Sequence, residues 1–82
     1  MRAMMVMLLL ALAAAPAAAQ SCRLTAGTGV AAELVRRCQE VSPATHPPCN
    51  AENPCSLIIG EIRRGCGMLG ADAPRFCRDY PR

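Results

Sequence analysis

Six cysteines, Cys22, Cys38, Cys49, Cys55, Cys66 and Cys77, and a single histidine, His46, are the residues of this 82-residue chain best suited to chemistry. Thiolate and imidazole are the usual ligands of zinc and copper. Five residues separate Cys49 from Cys55, against roughly two to four in a zinc knuckle, and no second close pair completes a ligand set. Thiol–disulfide exchange needs a Cys-x-x-Cys pair with one acidic thiol, and the chain has no such pair. Cys55 falls in the first turn of an expected helix, where the dipole favours a thiolate, but its periodicity puts it on the buried face. Hydrolysis asks for a nucleophile, a base and a group to orient the base. His46 sits in a proline-rich loop, and the acids Glu33, Glu40, Glu52, Glu61, Asp72 and Asp79 are accounted for by helix surfaces and starts. The expectation is therefore no enzyme activity, no cofactor and no metal, with all six cysteines used as three disulfides.

That use implies an oxidising compartment, and the start of the chain agrees with it. Met1 and Arg2 precede an apolar stretch from Met4 to Ala15, then Pro16 and the small residues Ala17, Ala18 and Ala19. A basic start, an apolar middle and a small-residue exit read as a secretory signal peptide over residues 1–19. Its apolar run is far short of the roughly 20 residues a spanning helix needs, so no stable membrane insertion is expected after cleavage. Cleavage after Ala19 would leave a disulfide-rich helical domain over residues 20–82. Lipidation of Cys22 is disfavoured, because Ala19-Gln20-Ser21 is a poor lipobox and the remaining cysteines would be odd in number. The product is expected to be periplasmic or secreted. Its basic residues are all arginine, eight of them beyond Arg2 against six acids, a net charge of only +2. Nucleic-acid binding calls for a basic patch with aromatic platforms, and Phe76 and Tyr80 are the only aromatics.

The elements that must position the sulfurs read as an all-α, disulfide-stapled three-helix unit, two longer helices and a short C-terminal one. Val30, Leu34, Cys38 and Val41 form an apolar stripe opposite Glu33, Arg36 and Glu40, with Thr28 as a cap and Ser42-Pro43 as the stop. A loop follows over residues 42–53. Asn53-Pro54 then pairs a capping residue with a proline at the first helical position. Cys55, Ile59, Ile62, Cys66 and Leu69 continue as the second stripe, while Gly65, Gly67 and Gly70 offer several ends. Asp72 is placed to cap a short third helix over residues 73–80, carrying Phe76, Cys77 and Tyr80.

Fifteen pairings of six cysteines exist, and sequence does not choose among them. Cys55 and Cys66, about 16 Å apart along one helix, cannot bond. Antiparallel packing of the first two helices favours Cys38 with Cys55, and a folded-back third helix favours Cys66 with Cys77, leaving Cys22 with Cys49. The alternative joins Cys22 to Cys66 and Cys49 to Cys77.

Two surface features remain. The pairs Arg36-Arg37 and Arg63-Arg64 lie late in their helices, where positive charge is favoured, and read as solvated surface with Glu33–Arg37 and Glu61–Arg64 contacts. Leu57 and Met68 project away from the Cys55–Cys66 stripe onto a face shared with Gly60 and Arg64. In so small a protein the preferred cover for them is the loop over residues 42–53 or the third helix. Left uncovered, they form a site for a partner. The leading functional reading is an exported module that acts by binding an envelope or extracellular protein, as an interaction or inhibitor-like accessory factor. Leu57, Arg64 and Met68, with the loop around His46, are its contact residues. The alternatives are a secreted cationic peptide acting on membranes or rival cells and, behind it, a metal or redox carrier. Oligomeric state is not legible.

Overall fold

A computed structural model describes residues 20–42 and 48–81. The signal-peptide reading of residues 1–19 and the contact role given to His46 lie outside the described residues. The described chain is all-α: helix α1 (Cys22–Ala26), helix α2 (Thr28–Val41), helix α3 (Cys55–Leu69), and two 3₁₀ turns, Gly70–Asp72 and Arg75–Asp79. The expected unit of two longer helices and a short C-terminal one is what forms, and α1 is an addition to it.

Helix α1 is short and bracketed by side-chain chemistry. Ser21 is its N-cap, its Oγ accepting from the Leu24 N–H at 3.2 Å. Gly27 closes it with φ +90° and its N–H donating to the Arg23 carbonyl at 3.1 Å. That positive φ is why a glycine stands between α1 and α2. Thr28 is therefore the first residue of α2, and the cap expected of it belongs to Gly27, which makes no side-chain hydrogen bond.

Helix α3 begins one residue later than Asn53-Pro54 suggests, with Pro54 as its N-cap and Asn53 outside. It runs through Gly65 and Gly67 and ends at Gly70, whose φ is +55°. Gly65 is not a stop but a contact point. A Cβ built there would meet Val41 Cγ2 at 2.8 Å and the Val41 carbonyl oxygen closer still. Only a residue without a side chain lets α3 lie so close to the last turn of α2.

The segment beyond α3 departs from the expected α-helix over residues 73–80. Pro74 lacks an N–H and cannot donate to the preceding turn, so the chain takes the 3₁₀ turn Gly70–Asp72, breaks at Ala73 and Pro74, and restarts as Arg75–Asp79.

The buried core is Cys22, Ala31, Cys38, Val41, Cys49, Ile58, Ile62 and Cys66, half of it cysteine. Both stripes are rotated from the expected ones. Ala31 is buried where Val30 is exposed, and Ile58 is fully buried where Ile59 is half-buried. Helix α1 adds a further surface to this core through Cys22 and Ala26.

Candidate functional site

The chemistry of the cysteines is spent on structure. Three disulfides form, Cys22–Cys55, Cys38–Cys49 and Cys66–Cys77, with Cα–Cα distances of 4.5, 5.4 and 5.5 Å. Cys66–Cys77 is the bond expected across the last turn. The expected Cys38–Cys55 and Cys22–Cys49 bonds do not form, nor do Cys22–Cys66 and Cys49–Cys77. The reason lies in backbone pairing that stripes do not reveal: the Cys22 N–H donates to the Asn53 carbonyl at 2.8 Å and the Arg23 N–H to the Ala51 carbonyl at 3.1 Å. These bonds carry α1 across the start of α3 and set Cys22 beside Cys55. Cys38, one turn before the end of α2, is met instead by Cys49 as the loop returns.

Helix α3 is consequently held near both ends, by Cys55 to α1 and by Cys66 to the C-terminal turn. Its outer face carries Leu57, Gly60 and Arg64 between those anchors and Met68 two residues past the second. Leu57 is 50% exposed and Met68 66%, so among the described residues the cover expected from the loop or the third helix is not found. A Cβ at Gly60 would meet nothing within 4 Å. Arg64 is steered from both sides, by an ion pair with Glu61 and by a 3.2 Å contact from Nη1 to the sulfur of Met68. The structure thus brings Leu57, Arg64 and Met68 onto one exposed helix face, as an open strip about 16 Å long by helical rise.

Arginine and glutamate pair as expected at Glu33–Arg37 and Glu61–Arg64, and Arg36 bridges Glu33 and Glu40. The hydrogen bond from Arg36 holds the Glu33 carboxyl below its ordinary value, and that from Arg64 does the same for Glu61. Burial opposes both shifts. Glu61 also accepts from the buried Ser42 hydroxyl at 2.7 Å, which joins the end of α2 to the middle of α3.

Arg37 does more than coat a surface. Its guanidinium lies 5.3 Å from the Phe76 ring centre and 5.7 Å from that of Tyr80, and its Nη1 donates to the Tyr80 hydroxyl at 2.9 Å. The two rings meet edge to face at 6.2 Å. This clamp docks the second 3₁₀ turn onto α2. Sequence reasoning paired Arg37 with Glu33 alone, because nothing local links positions 37 and 80.

Among the described residues no cluster of three His, Cys, Asp or Glu side chains is arranged to hold a metal, and no helix is long and apolar enough to cross a membrane. The three disulfides point to an oxidising, extracytoplasmic environment. Compared with known proteins, the chain matches no family model, no curated protein and no solved structure.

Proposed function

We propose that this protein is a small exported module, periplasmic or secreted, that works by binding an envelope or extracellular protein through the outer face of α3. The observation that carries the reading is the uncovered strip of Leu57, Arg64 and Met68 on a helix pinned by disulfides near both ends. Exposed apolar side chains on a mobile element lose entropy when a partner orders them, whereas a covalently held helix has already met most of that cost. Leucine and methionine supply apolar contact area, and methionine adapts to an imperfect partner surface. Arg64, already drawn to Glu61 and Met68, adds an oriented charge at the centre of the strip. The apolar residues outweigh the charge, which separates this strip from the cationic face of a membrane-active peptide.

The double substitution Leu57→Asp plus Met68→Asp tests the reading. Both residues are exposed, so the variant is expected to keep its helical circular dichroism and its three disulfides. The wild-type protein, immobilised and offered periplasm or culture fluid, is expected to retain a partner that the variant loses. Equal retention by the two proteins overturns the proposal.

A further inference from the structure

The groove between the end of α3 and the C-terminal 3₁₀ turn has no part in the face described above and shares none of its contact residues. It is an open depression of about 390 Å³, within the size range of small-molecule sites. Gly67, Gly70 and Ala73 line one part of it, and the two glycines bring no side chain to its surface. Arg75, Arg78 and Tyr80 line the other.

The second 3₁₀ turn explains why two arginines meet there. With three residues per turn, side chains at i and i+3 eclipse one another, so Arg75 and Arg78 fall on the same side of the Arg75–Asp79 turn and both reach the groove. Neither is in an ion pair with a described residue, although Asp72 and Asp79 are close in sequence. Arg23, Arg36, Arg37 and Arg64 each pair with a carboxylate. Two like charges side by side repel, and this pair is held in place by the Cys66–Cys77 bond on one side and the Arg37 clamp on the other. The Tyr80 hydroxyl accepts from Arg37, which leaves its own proton free to donate.

We propose that this groove binds a phosphate monoester, the two guanidiniums each offering a planar fork of donors to a compact oxyanion of charge near −2. A single carboxylate satisfies one such fork and neutralises one charge. A phosphomonoester has the oxygens and the charge for both.

The test is a titration of the isotopically labelled, oxidised protein with glycerol 3-phosphate, followed by backbone amide shifts. A parallel co-sedimentation uses vesicles of phosphatidylcholine with and without phosphatidic acid. Saturable shifts at Gly67, Gly70, Arg75 and Arg78 with the soluble ester identify a free phosphoester as the ligand. Binding confined to phosphatidic acid vesicles identifies a lipid headgroup. In either case R75A/R78A is expected to weaken binding by about tenfold or more, as loss of charge-assisted hydrogen bonds implies. R75K/R78K is expected to recover only part of it, and R63A, an exposed arginine outside the groove lining, to leave it unchanged. Should R75A/R78A lose its fold by circular dichroism, the lysine variant carries the test. The proposal is overturned by the absence of saturable binding to both probes, by undiminished binding in folded R75A/R78A, or by an equal loss in R63A.

Discussion

Gly65 and Glu61 show how much one side chain decides at the junction of α2 and α3. Position 65 faces the Val41 carbonyl across a gap that no methyl group fits, and backbone cannot swing aside as a flexible side chain does. Gly65→Ala is accordingly expected to cost about 1–3 kcal/mol despite alanine's better helix propensity. Urea unfolding reads that loss directly, and an unchanged midpoint would show that the helices are not in contact there. Four residues earlier, Glu61 is held ionised by Arg64 and by the Ser42 hydroxyl. Because its folded pKa lies below the ordinary 4.5, its contribution to stability is fully present above that value and is lost as pH falls through the folded pKa. Stability is thus expected to drop as acid is added below about pH 4.5, and Glu61→Gln to flatten that slope. An identical slope in the variant would place the acid sensitivity elsewhere, at Glu33 first.

The elements differ in how they are held. Helices α2 and α3 bury apolar stripes against each other, whereas the second 3₁₀ turn contributes no fully buried residue. It is fastened by Cys66–Cys77 and by the stacking of Arg37 on Phe76 and Tyr80. A cation held against two ring faces is attracted by their quadrupoles, and here that contact adds to the disulfide in resisting local opening of the turn. Arg37→Ala is expected to speed hydrogen exchange at residues 75–80 while leaving the middle of α3 protected, and uniform protection across all elements would mean that the clamp holds nothing. Arg37 was readable in the sequence only as a partner of Glu33, since a contact across 43 positions leaves no local trace. Helix α1, by contrast, was legible and missed: Ser21 and Gly27 bracket it as N-cap serine and C-terminal glycine. That omission also misassigned two disulfides, because Cys22 reaches Cys55 only when residues 22–26 are wound up and laid against residues 51–53.

For the molecule as a whole, a core that is half cysteine cannot be separated from its covalent bonds. A chain of this size buries only about 60% of its unfolded surface. Each bond constrains the unfolded chain by about 3–4 kcal/mol for loops of these lengths, the largest for Cys22–Cys55 with its separation of 33 residues. Reduction is therefore expected to abolish the cooperative thermal transition at neutral pH. Retention of the transition with all six thiols alkylated would show that apolar contacts suffice. Proteolysis of the oxidised protein followed by mass spectrometry is expected to recover Cys22 with Cys55, Cys38 with Cys49 and Cys66 with Cys77.

Composition and periodicity by themselves determined that this chain is helical, that its cysteines are structural, and that Leu57, Arg64 and Met68 share one face of a helix. These follow from even cysteine number and from spacings of three and four, both local properties of the chain. Tertiary structure alone decided which sulfurs meet, that Leu57 and Met68 stay exposed among the described residues, that Gly65 is a contact and not a stop, and that Arg75 and Arg78 line one groove. Each of those depends on how far one helix turns or leans toward another, and that is set by backbone bonds and close approaches between residues distant in sequence.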